Sequence, residues 1–190
     1  MGDVKSKTYN PTEAERDTLM EFPEEFKTVG PKHEAWNDRI KDEIDKIMAY
    51  TKWLTDKQGS PWFRLRPRKL YNFRIWDGYI QIPSRPEIKF KIVVVLSKEY
   101  PKDFPKCYVH ESILPYTEKL FPNMIWKDHN TNETYVLICH QHMEPGTSLY
   151  VNEIWKPTLS IAHYFVREVR FWWSDIQNNL IEQWDKLHRR

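Results

Sequence analysis

The run Ile88-Lys89-Phe90-Lys91-Ile92-Val93-Val94-Val95-Leu96 constrains this chain more than any other stretch. Phe90, Ile92, Val94 and Leu96 recur at a period of two, so the run reads as a β-strand. Val93 and Val95 make the opposite face apolar too, which predicts a strand covered on both sides and central to its sheet. Tyr100-Pro101 comes next. A residue before proline is held extended, and the proline itself fixes a rigid turn. Phe104-Pro105 then delivers Lys106-Cys107-Tyr108-Val109-His110 as a further strand.

The flanking sequence fits around that pair. Residues 62–66 alternate like a half-buried strand and residues 72–76 repeat the pattern. Asp77-Gly78 is a hairpin signal ahead of residues 79–82. Pro83-Ser84-Arg85-Pro86 breaks the chain. Before these strands, residues 34 to about 54 carry Trp36, Ile40, Ile44, Ile47 and Tyr50 or Leu54 at helical spacing. At the other end, Lys156-Pro157-Thr158 opens a long helix with Ser160 near its first turn. Its stripe is Ile161, Phe165, Val169, Trp172, Ile176, Leu180, Trp184 and Leu187. Residues 111–134 read mostly as loop, with room for a small hairpin that sets residues 124–126 against residues 136–138. A second long loop runs over residues 140–153. Helix, about four antiparallel strands, an irregular stretch and a helix define an α+β domain.

A chain of 190 residues favours one compact domain, here residues 34–190. Residues 1–33 read as an extension. Asn10 caps a short helix from Pro11 to about Phe22, and residues 23–31 form a linker or a wrapping arm. Nine Trp, ten Tyr and nine Phe predict an aromatic core. The formal charge of +2 carries no nucleic-acid signature, so no direct nucleic-acid partner is expected. Arg64, Arg66, Arg68 and Lys69 are assigned to the exposed face of a strand. Two cysteines are too few for a disulfide framework and suit a reducing compartment. No apolar run is long enough to cross a bilayer, and residues 1–5 lack a signal-peptide core, so a cytoplasmic protein without a membrane partner is expected. Met1-Gly2 with Ser6 fits the short and common myristoylation pattern. Five glycines, none in a G-x-G arrangement, argue against a glycine-rich phosphate cradle, and no cofactor is expected.

Six short motifs stand in a telling order: Tyr100-Pro101, Phe104-Pro105-Lys106, Phe121-Pro122-Asn123, Leu137-Ile138-Cys139, Trp155-Lys156-Pro157 and Leu159-Ser160-Ile161. Over residues 34 to about 175 this order resembles the ubiquitin-conjugating enzyme family. That family has a helix, a four-stranded meander, a Tyr-Pro and Pro-Pro turn and a His-Pro-Asn element. An acceptor cysteine follows an apolar pair, and then come a Trp-x-Pro and a helix. The chain departs from the pattern in three ways. Phe121 replaces the histidine, Asn123 lies 16 positions before Cys139, and Trp155 lies 16 after it. Such divergence resembles the bacterial branch found with ubiquitin-like conjugation parts. Some of those act in antiviral cyclic-nucleotide signalling, where the target is the nucleotidyltransferase that makes the signal.

The resemblance implies that Cys139 carries a protein C-terminus as a thioester. It also implies two partners. One is a protein with an activated C-terminus, either a ubiquitin-like modifier or a nucleotidyltransferase, and the other is an activating enzyme. A thioester carrier must be exposed and able to reach the thiolate. Buried strand cysteines are common, and Cys107, in apolar company, is read as one. Aminolysis builds an oxyanion that needs a fixed amide donor. The family pattern nominates Asn123, while Asn130 or Asn132 are alternatives and Asn123 can equally shape a turn. His140 and His142 flank Cys139 and are candidates to lower its pKa or to deprotonate an attacking amine. Zinc on Cys139, His140 and His142 with His129 or His110 does not match known structural spacings, so no metal is expected. Two other functions stay open. One is an inactive binding module of the same fold, and the other is a cysteine hydrolase pairing Cys139 with His140 or His163.

Overall fold

The helix at Trp36–Gln58 (α1) forms for the reason its spacing predicts. Trp36, Ile40, Ile47, Tyr50 and Leu54 line one buried face, and Gly59 ends the helix in the left-handed region. The computed structural model describes residues 19–139 and 155–188. The expected helix over residues 11–22 falls largely outside them. After α1 come β1 (Phe63–Pro67), β2 (Ile75–Ile82), β3 (Arg85–Val95), β4 (Lys106–His110), β5 (Leu120–Lys127) and β6 (Thr134–Ile138). They make one antiparallel sheet in the order β1-β2-β3-β4-β6-β5. The C-terminal rod runs through α2 (Ile161–Tyr164), a π-helical stretch at Phe165–Val169 and α3 (Arg170–His188). The class is α+β, with six strands where about four were expected.

Helices cover one face of the sheet. Trp76, Ile80, Phe90, Ile92, Val94, Cys107 and Val109 point into a core shared with α1 and the C-terminal rod. Phe63 stacks on Phe165 at 4.4 Å between ring centres, which joins β1 to the π-helical stretch. On the other face Ile75, Val93 and Tyr135 form a smaller cluster with Val95, Tyr108 and Trp126. β3 is therefore internal, and from Ile92 to Val95 it is apolar on both sides, as its composition predicts.

Two local expectations are corrected. Asp77-Gly78 is not a turn: both residues lie within β2, opposite Arg66 and Leu65. A Cβ on Gly78 would sit 1.8 Å from the Arg64 carbonyl oxygen, so this glycine answers a close backbone approach. The hairpin instead turns at Pro83-Ser84, where Ile82 pairs with Arg85. Residues 72–76 are not all strand either. Tyr71, Asn72 and Phe73 have φ of 62°, 54° and 58°. This costly left-handed turn is fixed from outside, because Trp36 Nε1 donates to the Asn72 carbonyl at 2.9 Å and Asn72 Nδ2 donates to the Pro31 carbonyl at 2.8 Å.

The elements meet at a buried ion pair. Arg39 and Glu43, one turn apart on α1, are both fully buried, with Nε and Oε1 3.1 Å apart. Arg39 also donates to the carbonyls of Phe26, Pro157 and Leu159 at 3.0, 3.2 and 2.9 Å. The Tyr100 hydroxyl donates to Glu43 Oε1, and the Ile161 N–H donates to Oε2 at 2.8 Å. Burial lifts the Glu43 carboxyl above its ordinary range, with Arg39 pulling against it. Residues 19–33 act as a wrapping arm on this node: Phe22 is buried under the Arg39 guanidinium, 4.3 Å from its ring centre.

Removing one member of such a pair strands the other charge in the core. Arg39→Met is expected to destabilise the fold by about 3–5 kcal/mol. Lys52→Met removes only an exposed pair with Asp56 and is expected to cost less than about 0.5 kcal/mol. Urea unfolding midpoints of the two variants check the contrast.

Candidate functional site

β6 places Cys139 at the margin of the sheet. Val136 and Ile138 enter the main core, and the chain leaves the sheet at the next residue. Cys139 is half-buried and outside any disulfide. Its N–H donates to the Lys119 carbonyl at 3.4 Å, and Trp172 Nε1 on α3 donates to the same oxygen at 2.7 Å. The Thr117 hydroxyl accepts from the Lys119 N–H at 3.1 Å, and the Lys119 ammonium pairs with Asp175 on α3. The cysteine backbone is therefore held against a residue fastened to the C-terminal helix. Residues 117–119 also line one side of a groove of about 420 Å³ whose other side is α3 at Asp175, Ile176 and Asn179.

Residues 120–138 form an ordered hairpin in place of the expected irregular stretch. Leu120 pairs with Ile138 and Phe121 with Leu137. Ile125 is the next to pair, with Val136, so Pro122, Asn123 and Met124 bulge out of β5. The expected hairpin of residues 124–126 against 136–138 exists with its register moved by one: Ile125 faces Val136 and Trp126 faces Tyr135.

This register locates each candidate. Cys139 lies at the Lys119 end, and Asn123 lies past Phe121 in the other direction, in the bulge between the Phe121–Leu137 and Ile125–Val136 pairs. The Asn123 side chain is exposed and makes no hydrogen bond among the described residues. Asn130 and Asn132 sit at the far turn of the hairpin. Asp128 caps that turn, accepting from Asn130 N–H at 2.9 Å through its carboxylate and from Asn132 N–H at 2.7 Å through its carbonyl. They build the turn. His140 and His142 lie outside the described residues. Among the described residues no three His, Cys, Asp or Glu side chains are placed to hold a metal. His129 is on the far turn and His110 packs edge-on against Tyr135.

Two other candidates are resolved by burial. Cys107 is fully buried, and desolvation raises its thiol far above the usual range, which holds it protonated. His163 is buried with both ring nitrogens engaged. Nδ1 accepts from the Ser160 N–H at 3.0 Å in a reciprocal cap of α2, and Nε2 donates to the Leu19 carbonyl at 2.6 Å. This corrects the hydrolase reading that used His163 as a base. Sequence spacing did not reveal Lys119, because its importance lies in two distant donors to its carbonyl.

The motifs that stand apart in sequence converge here in two groups. Trp155 Nε1 donates to the Pro101 carbonyl at 2.8 Å, and Pro157, Leu159 and Ile161 join Tyr100 around Arg39 and Glu43. The strand carrying Phe121 pairs with the strand that ends at Cys139. Neither a protein-family model nor a curated protein matches the chain. No helix among the described residues is long and apolar enough to cross a membrane.

Two measurements follow from these environments. In native protein, iodoacetamide is expected to alkylate Cys139 while Cys107 reacts only after denaturation, as peptide mass spectrometry would read out. Burial pulls the His163 imidazole down to about 4 from 6.5. A depressed pKa means that its contribution is complete above pH 6.5 and is lost as pH falls from 6.5 towards 4. The loss is on the order of 3 kcal/mol at most. Unfolding free energies of wild type and His163→Gln between pH 7 and 4 are expected to converge by that amount.

Proposed function

We propose that this chain is a ubiquitin-conjugating-like acyl transferase. Cys139 thiolate attacks the activated C-terminal carbonyl of a partner protein, the activating group departs, and a thioester forms. An amine then attacks that carbonyl, the tetrahedral oxyanion collapses, and the Cys139 thiolate leaves. The amine gives up its proton to a base, for which His140 and His142 are the candidates.

The observation that carries this reading is the β5–β6 register. It pairs Leu120-Phe121 with Ile138-Leu137, so that Phe121-Pro122-Asn123 and Leu137-Ile138-Cys139 belong to one hairpin, with the thiol-bearing residue at the half-buried margin of the sheet. The groove along residues 117–119 suits an extended polypeptide tail that ends near Cys139. The gathering of Tyr100, Pro157, Leu159 and Ile161 around one node agrees with a family whose motifs come in that order. A bacterial antiviral role, with a cyclic-nucleotide synthase as the modified partner, extends the same resemblance.

The exposed bulge at Asn123, offset from Cys139, favours a second reading. A catalytically inactive binding module of this fold has no need for an oxyanion donor beside its cysteine. Intact mass spectrometry separates the two. Incubation with ATP, an activating enzyme and a candidate modifier is expected to give an adduct that thiol reductant removes. Cys139→Ser is expected to give an adduct that resists reductant, and Cys139→Ala none. An adduct that persists in Cys139→Ala, or a reconstituted pathway indifferent to that substitution, would sink the transferase reading.

A further inference from the structure

Away from the helices, a cleft of about 580 Å³ crosses the sheet over β1, β2 and β3. One wall is β1 and the other is the turn between β5 and β6, which folds back over the sheet. That turn is tied down by two ion pairs. Arg68 grips both oxygens of Asp77 at 2.5 and 2.6 Å and reaches Asp128 at 2.5 Å, while Lys91 pairs with Glu133 at 2.5 Å. Asp128 is only 1% exposed, so this strut is partly desolvated.

The three carboxylates that line or adjoin the cleft, Asp77, Asp128 and Glu133, are all paired within the strut by Arg68 and Lys91, and Arg64 and Arg66 stand outside it. Arg64 and Arg66 are exposed, and their guanidiniums make no ion pair or hydrogen bond among the described residues. They sit two apart on β1, hence on the same face and roughly 6.5–7 Å apart. Arg64 pairs across the sheet with Tyr79, and Tyr79 pairs with Lys91. The Lys89 ammonium lies 4.5 Å from the Tyr79 ring centre. Two open guanidiniums beside an aromatic ring, in a walled cleft of this size, make an anion site with a flat platform.

We propose that this cleft binds a small organic phosphate, with Arg64 and Arg66 gripping the phosphate oxygens and Tyr79 packing against the organic moiety. Guanidinium forks match phosphate oxygens in pairs, and a cleft of this volume suits a small molecule. Charges on an edge strand also discourage strand pairing. That role asks for charge of either sign and does not require the carboxylates nearby to be paired with other groups. An acidic polypeptide would need a longer cationic track than two residues between two walls.

Isothermal titration of the full chain with inorganic pyrophosphate, with ATP and with polyglutamate, without magnesium and at 150 mM NaCl, tests the site. One-to-one binding in the micromolar range is expected for ATP. Arg64→Gln with Arg66→Gln is expected to weaken both ligands at least tenfold with an unchanged melting temperature. Tyr79→Ala is expected to weaken ATP and leave pyrophosphate unaffected. Cys139→Ala and the remote Lys52→Gln are expected to bind like wild type. Three outcomes would overturn the proposal: no binding of either probe, equal loss in Lys52→Gln, or binding of polyglutamate alone. The last would assign the cleft to an acidic polypeptide.

Discussion

The buried pair of Arg39 and Glu43 orders the molecule because it saturates its hydrogen bonds with partners from three separate segments. Arg39 takes carbonyls from the N-terminal arm and from residues 157–159, while Glu43 takes the Tyr100 hydroxyl and the first amide of α2. A buried charge is tolerated only when its donors and acceptors are met, so each segment has to arrive in one arrangement. Apolar residues of similar volume could fill the same space. They would not specify which carbonyl meets which part of α1. The node therefore acts more on the uniqueness of the fold than on its total stability.

The sheet serves the other half of the molecule. Its four meander strands give a base onto which the β5–β6 hairpin is added through β6 alone. The hairpin is then held at both ends: at the far turn by Arg68 and Lys91, and at the near end by Lys119. Cys139 leaves the sheet from the near end. The stretch between Asn123 and Cys139 is thus a folded element with its own fastenings, and the bulge absorbs the residues that do not pair.

How much of this could be read from sequence depends on whether a residue's role is local. The α1 face, β3 and β4 were legible because their periodicity records which side is buried. The six motifs nominate Cys139 by their order alone, and the structure puts that residue half-buried just past the end of β6. Gly78 misled because a turn and a close backbone contact both select glycine, and only the approach of the Arg64 carbonyl tells them apart. β5 was hidden because Pro122, Asn123 and Met124 interrupt its alternation. Tyr71 and Phe73 gave no hint of their left-handed backbone, since bulky residues adopt it only when distant contacts hold them there. Arg39 and Glu43 resemble any exposed helical ion pair until Tyr100 and residues 157–161 bury them. The position of Asn123 relative to Cys139 is a matter of register, which a bulge resets without leaving a simple pattern.

The shared carbonyl of Lys119 has a mechanical meaning. Because the Cys139 amide and the Trp172 indole bind the same oxygen, the cysteine and α3 are two arms on a single pivot. Trp172 is itself buried in the main core, so the packing of α3 on the sheet and the position of the cysteine backbone are set together.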